Sequence, residues 1–357
     1  AIGSQSLKAN TTGTSNVAVG RSALKTNTTA DNNTAVGQGA LELNTTGDRN
    51  VALGSLALDA NTTADANTAV GYQALSSNTT AEVNTAVGFE ALKLNTTGTK
   101  NTAVGATALD ANTTASDNTA IGFDSLGANT TGSANTAVGR EAMEGNTTGS
   151  SNTALGCAAL AVQTTASNNT AIGFNAMLAN TTGADNASFG KDSMVSNTTG
   201  SHNTALGLGA LASNTTASNN TAVGRSALLL NTTGTDNTAY GNRAADSMTT
   251  GNYNTAIGSD SLNVATTGQY NTAVGISSGN KVSTGGLHTL IGQGAGGQLT
   301  TASNCLMLGY DSGQAGSPGG AITASNIIVL GDENITAAHI QVDWTVASDK
   351  RDKTDVT

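Results

Sequence analysis

Aromatic side chains are scarce in this chain: five Tyr, four Phe and one Trp among 357 residues, 3% of the total. Charged residues reach only 11%. Together they are poor material for a large globular core inside a charged shell. Proline occurs once, at Pro318, and cysteine twice, at Cys157 and Cys305. The cysteines are nearly nine repeats apart, too far to bridge if successive repeats stack one per turn. No apolar run approaches the length of a membrane span, so no membrane insertion is expected. The net charge of −10 leaves no basic patch to neutralise phosphate, which argues against a nucleic-acid partner. The sequence opens on Ala1 rather than Met, so a longer natural chain is expected.

What the chain does have is a period. A glycine after a small apolar pair recurs every seventeen residues from Gly3 to Gly309, nineteen times without insertion or deletion. An asparagine four residues before it holds from Asn16 to Asn271. A fixed period of this length marks a repeat architecture, in which each unit needs only its neighbours. The abundance of Gly, Asn, Thr and Ala looks like low complexity, but a disordered chain has no reason to keep apolar positions in register.

The repeat Asn84 to Lys100 shows the pattern. Ala86 and Val87 precede Gly88, and Ala91 and Leu92 follow it. Every Asp, Glu, Lys and Arg up to Gly313 falls one, two, five, six, eleven or twelve residues after a glycine. None enters the apolar positions or the Asn95-Thr96-Thr97 stretch, so these columns face inward or toward a partner. Two apolar centres in seventeen residues suit a coil of two short strands and two turns, and the Val, Thr and Gly content disfavours helix. The expected fold is all-β: a parallel β-solenoid or β-roll, one 17-residue, two-strand coil per repeat.

Ala86 and Val87 are adjacent, so they point to opposite faces of a strand. Both columns are apolar, as in a strand buried on both sides. One face fills the coil; the other calls for a partner, with the small Ala suited to close approach of another backbone. A homotrimer around the long axis is the expected assembly. Asn95 and its equivalents are expected to stack as amide ladders, and Asn and Gly to take turn positions with φ > 0. Gly88, Asn84, Val87, Leu92 and Asn95 thus define the structural repeat.

After Gly309 the register breaks, and the next apolar unit ends at Gly331, twenty-two residues on. Three regions follow: a repetitive shaft over 1–311, a cap or transition segment over 312–347, and a charged tail over 348–357. The cap holds Pro318, short-strand candidates at Ile327 to Leu330, Ile335, Ile340 and Val342, and the only tryptophan, Trp344.

The Asn-Thr-Ala-Val-Gly-x-x-Ala-Leu repeats resemble those of trimeric autotransporter adhesin heads and of phage tail fibres. The tail Ser348-Asp-Lys-Arg-Asp-Lys353 resembles the start of the intramolecular chaperone domain, of the endosialidase type, that ends many phage fibres. That resemblance implies a chaperone that trimerises the chain and then cleaves itself off at the serine. Ser348 and Lys353 match the family's Ser–Lys spacing, with the lysine as base for the hydroxyl nucleophile. The remainder of such a domain is expected beyond Thr357.

Other motifs carry less. The Asn-Thr-Thr triplets satisfy the N-glycosylation pattern, but a sugar on every coil would crowd, and a ladder is preferred. Thr96 and Thr97 point to opposite faces, which weakens an ice-binding reading. His202, His288 and His339 share no ligand spacing, so no metal and no cofactor is expected. Gly292 to Gly297 sits in the repeat register and is structural. No paired carboxylates recur in one place to suggest a glycosidase. The reading is therefore a tail-fibre shaft on a virion, extracellular, not an enzyme beyond one self-cleavage. Its partners would be two further copies, other virion tail proteins and a host cell-surface receptor such as a glycan. Outward residues after the glycines (Tyr72, Phe89, Phe123, Phe174) are the candidate contact surface. The alternatives are a bacterial trimeric adhesin head on the cell surface and, less favoured, a glycan-degrading tailspike.

Overall fold

The computed structural model describes residues 1–317 and 320–336. Nineteen three-residue strands, β1 (Val17–Val19) to β19 (Ile328–Leu330), form one parallel sheet. Each strand lies on the next in sequence. β5 (Thr85–Val87) pairs with β6 (Thr102–Val104), Ala86 opposite Ala103 and Val87 opposite Val104. Eighteen strand-to-strand steps of about 4.8 Å give a rod roughly 86 Å long. The period is therefore the circumference of a solenoid coil, as the sequence implies.

Each coil carries one strand, where two were expected. The reason lies in the second apolar centre. Ala91 and Leu92 are adjacent, yet both are fully buried. A strand would send one of them outward. The backbone instead enters the left-handed region at Glu90 (φ 55°) and Leu92 (φ 53°), turning both side chains inward. Such conformations disfavour residues other than glycine by about 1–2 kcal/mol. Hydrogen bonds between coils offset this: Glu90 N–H donates to Tyr72 O in the coil before, and Leu92 N–H to Ala108 O in the coil after, both at 2.9 Å.

The glycine that sets the period ends the strand at φ near +140°, and a Cβ on Gly88 would collide with the carbonyl of Gly105. The repeated asparagines, by contrast, do not take left-handed turns. Those positions belong to residues such as Glu90, Leu92 and Lys100 (φ 57°).

Inside the coil, stacked Ala86, Ala91 and Leu92 columns form a continuous apolar core. Burying each leucine stabilises by about 1.5–3 kcal/mol. The core keeps its volume when its residues change. Ala245 replaces the leucine where Met248 replaces the ladder asparagine, and Gly279 and Gly296 do so beside Val282 and Leu299. In those last coils Leu290 and Met307 also take the strand's inward alanine position. A Cβ on Gly296 would meet Leu290 and Leu299.

Two buried asparagine columns complete the interior. Asn95 Nδ2 donates to Asn78 Oδ1 at 3.1 Å and to Gly98 O at 2.9 Å. Asn84 Nδ2 donates to the same Gly98 carbonyl at 2.9 Å, while Asn84 N–H donates to Asn67 Oδ1 at 2.9 Å. A buried amide left unpaired costs about 1–3 kcal/mol, so each coil needs its neighbour to satisfy it. The amide ladder expected of the Asn-Thr-Thr column is present.

The 22-residue step after Gly309 loops out and returns. β19 pairs with Leu306–Leu308, Met307 opposite Val329, so this cap strand continues the sheet. Ile335 lies outside any strand; its N–H donates to Asp332 O at 3.3 Å, closing a turn over Glu333 and Asn334. The features expected at Pro318, His339, Ile340, Val342, Trp344, Ser348 and Lys353 lie outside the described residues.

Candidate functional site

The sheet has one face inside the coil and one outside. Ala86 is inside and fully buried, whereas Thr85 and Val87 are outside and partly exposed. This reverses the expected assignment, in which the small Ala faced a partner. The Leu92 column stands opposite the sheet across a thin coil, so only a small side chain fits beneath the strand. Where that column shrinks to Gly296, the inward residue grows to Leu290.

The outward residues form two columns. One holds Val36, Leu53, Val87, Ile121, Leu155 and their equivalents; the other is mostly threonine. No charged residue occurs in either column over nineteen strands. The stripe is unpartnered in the single chain, and several of its members, including Leu53, Leu155 and Leu206, are nearly half exposed.

Charges line the other sides of the coil, as their columns in the sequence indicate. Lys25 pairs with Glu42 at 3.0 Å and Arg49 with Asp65 at 2.8 Å, one coil apart. Exposed pairs of this kind contribute about 0–1 kcal/mol each. A further ladder runs through the residue eleven after each glycine, a position read from sequence only as a site for charge. Asp31 N–H donates to Asp48 Oδ1 and Asp48 N–H to Asp65 Oδ1, both at 2.7 Å. Serines repeat the bond as Ser133 N–H to Ser150 Oγ at 3.0 Å. The signal was available: Asp, Ser and Thr, the short acceptors, dominate that column.

The aromatic residues after the glycines are outward and about half exposed, with Tyr72 stacked on Phe89 at 5.7 Å. The coil also gathers carboxylates that are separated in sequence. Burial first, and then Asp124, raise the proton affinity of both Asp110 and Glu144. Asp124 and Glu144 border an open hollow of about 440 Å³ beside Ala128 and Gly145. The position two after one glycine lies beside the position five in the coil before (Asp110) and in the coil after (Glu144), a proximity that spacing along the chain conceals.

The triplet asparagines are buried in their ladder and cannot accept a sugar in the folded coil. His288 stands in the Asn84 column and reproduces both asparagine bonds. Its Nε2 donates to Ala302 O at 2.8 Å, and its Nδ1 accepts the Cys305 N–H at 3.2 Å. Burial holds its pKa below the ordinary histidine value. With both nitrogens engaged inside the coil, it has no lone pair to offer a metal. Among the described residues, no group of three or more His, Cys, Asp or Glu could hold a metal ion. His202 lies outside, with Nε2 3.7 Å from Asp185. Cys157 is partly exposed and Cys305 is buried in the ladder.

Asn84, Gly88, Leu92 and Asn95 therefore build the coil, and Val87 builds its outer face. No protein-family model matches this chain, and a comparison with curated proteins finds no match.

Proposed function

We propose that this chain is the shaft of a homotrimeric attachment fibre, specifically a phage tail fibre that supports host-surface binding. The observation that carries the reading is the uncharged stripe along the whole sheet, a mainly aliphatic column beside one mostly of threonine. Its two columns are about 7 Å apart, and side-chain breadth makes the strip about 10 Å wide. Over a length of roughly 86 Å that is about 860 Å², close to the 800 Å² or so that each partner contributes to a stable interface. A coil held by its own ladders on every other side has one face left for other copies.

The role of such a rod is mechanical. Three copies wound about one axis hold three tips together, so weak contacts with a surface receptor, a glycan among them, act by avidity. Other virion tail proteins would hold its base. The Ser348–Lys353 pair supports maturation by a single self-cleavage, which is the only chemistry in this reading.

Sedimentation equilibrium of the purified chain tests the assembly. A three-chain species is expected, and Val87→Glu should shift it toward single chains without unfolding the coil. A wild-type chain that remains monomeric at tens of micromolar would sink the fibre reading.

A further inference from the structure

Aromatic side chains are few in this chain, yet half of them stand in one column, directly after the glycines: Tyr72, Phe89, Phe123, Phe174 and Tyr310. Tyr72 and Phe89, one coil apart, have ring centroids 5.7 Å apart and planes 14° from parallel. Rings in this column therefore stack along the rod. The next ring does not follow. Ala106 takes the place after Phe89, the one alanine in the column, and Phe123 comes a coil later.

Two coil steps separate Phe89 from Phe123, about 9.6 Å. Aromatic rings stack at centroid separations of about 4.5–7 Å, so these two cannot pack on each other. A flat ring placed midway, over Ala106, would lie about 4.8 Å from both. Tyr72 covers one face of Phe89 and leaves the other bordering this gap, and both phenylalanines are more than half exposed.

The polar groups of the same coils decide the occupant. Thr107 Oγ1 donates to Ala106 O at 2.7 Å, which leaves that hydroxyl oxygen able only to accept. Asp110 and Asp124, which act on each other across the coil step, belong to the coils of Ala106 and Phe123. Lys93 and Arg140, the cations of these columns, are already paired with Glu90 at 3.0 Å and Glu141 at 2.7 Å. An anion would meet carboxylates and no free cation. An aromatic side chain would fit between the rings but leave the acceptors idle. A sugar ring matches both, with C–H faces for the phenyl rings and hydroxyl donors around its edge.

We infer that the gap over Ala106, between Phe89 and Phe123, binds one uncharged hexopyranose ring of a surface glycan. This deepens the attachment reading and rests on it for the source of the sugar. One such slot binds weakly by itself, and copies held together on a rod add their contacts through avidity. The slot lies past the glycine that ends the strand, outside both columns of the sheet stripe, so either can fail alone.

The test is fluorine NMR of the full chain carrying para-fluorophenylalanine, whose four phenylalanines give four signals. Each is assigned by replacing one phenylalanine with leucine. Methyl β-glucoside, methyl β-galactoside and methyl α-mannoside are the neutral probes, and N-acetylneuraminic acid is the anionic one. A neutral probe should shift Phe89 and Phe123 but not Phe174 or Phe189, half-saturating in the millimolar range, as so small a ligand does without avidity. Ala106→Phe should abolish the shifts by filling the gap. Its coil should stay formed, since Phe89, Phe123 and Phe174 occupy the same column. Phe123→Ser, which places there the residue type of Ser55, should weaken binding by about tenfold or more. No shift from any neutral probe at tens of millimolar would overturn the slot and, with a three-chain species present, leave the fibre reading in place. Unchanged binding in Ala106→Phe would overturn the site, and equal binding of N-acetylneuraminic acid the assignment to an uncharged sugar. Sugar binding at these rings by a chain that stays monomeric would support the slot and remove the fibre reading.

Discussion

Asn231 and Met248 stand one above the other in the same interior column, and their contact ends the amide ladder. Asn231 Oδ1 is buried without a hydrogen-bond donor, because the Met248 side chain has no N–H where Asn95 and its kin have one. The methionine is there for volume, filling the space vacated by Ala245. Met248→Asn alone should restore a bond of about 1 kcal/mol but leave a cavity whose cost is about 2–5 kcal/mol. Local hydrogen exchange in these coils should therefore accelerate. Adding Ala245→Leu should bring it back to the wild-type rate or below. A double variant no better than the single would refute the volume argument.

The bonds of His288 require its neutral form. Protonation would aim an Nδ1–H at the Cys305 N–H, donor against donor. Burial lowers the folded pKa, with the hydrogen bond to Ala302 opposing it. The unfolded chain therefore binds the proton first, and stability at these coils is full above the ordinary histidine pKa of about 6.5. It should fall as the pH drops below that value, until the folded-state pKa is reached. Exchange rates at Thr289 and Leu306, compared between pH 7.5 and 5, should show the loss, and His288→Asn should abolish it.

A carboxylate is a poor substitute inside the ladder. Asn95→Asp keeps the acceptor for Asn112 but sets an oxygen against Asn78 Oδ1 and Gly98 O, the partners of the lost amide. A buried charge or unpaired acceptor of this kind costs about 1–3 kcal/mol or more. Burial should raise the new carboxyl's pKa, so this variant, unlike the wild type, should regain local stability as the pH falls toward 4. A flat pH response at that coil would show that the amide bonds matter little.

Leu92 and Val87 separate folding from assembly. Leu92→Ala empties a fully buried site and should cost about 2–5 kcal/mol locally. Val87→Ala trims the outer face; it should leave the isolated coil nearly unchanged and weaken the proposed association. Measuring exchange and sedimentation on both variants checks the division; a destabilised coil in Val87→Ala would contradict it.

The Ser348–Lys353 proposal is checked by mass. A chain expressed with further sequence after Thr357 should yield a denatured product ending at Ala347, and Ser348→Ala should prevent it. Equal full-length masses would remove the self-cleavage and leave phage fibre and bacterial adhesin equally supported.

The coil was legible in the sequence because seventeen-fold spacing survives any local detail. The inward and outward columns were legible where charge excluded one choice. Spacing alone could not decide between Ala86 and Val87, since both are apolar; the depth of the coil beneath the strand decides it. Nor could apolar pattern distinguish a second strand from the left-handed turn at Leu92. Two adjacent buried residues are the clue to that turn, and they read the same way in a strand buried on both faces. The gathering of Asp110, Asp124 and Glu144 was hidden because these neighbours on the rod are fourteen and twenty residues apart in the chain.

The in-register ladder also governs how such a shaft can change length. Removing or duplicating seventeen residues anywhere between Gly20 and Gly292 leaves every column aligned, from the Asn95 amides to the Val87 stripe. The rod then shortens or lengthens by one step of about 4.8 Å. A deletion whose size is not a multiple of seventeen would leave the coil it falls in too short to close, breaking the columns there. Recombination between near-identical repeats can thus tailor length in unit increments, while the outer stripe is extended or trimmed but never rearranged.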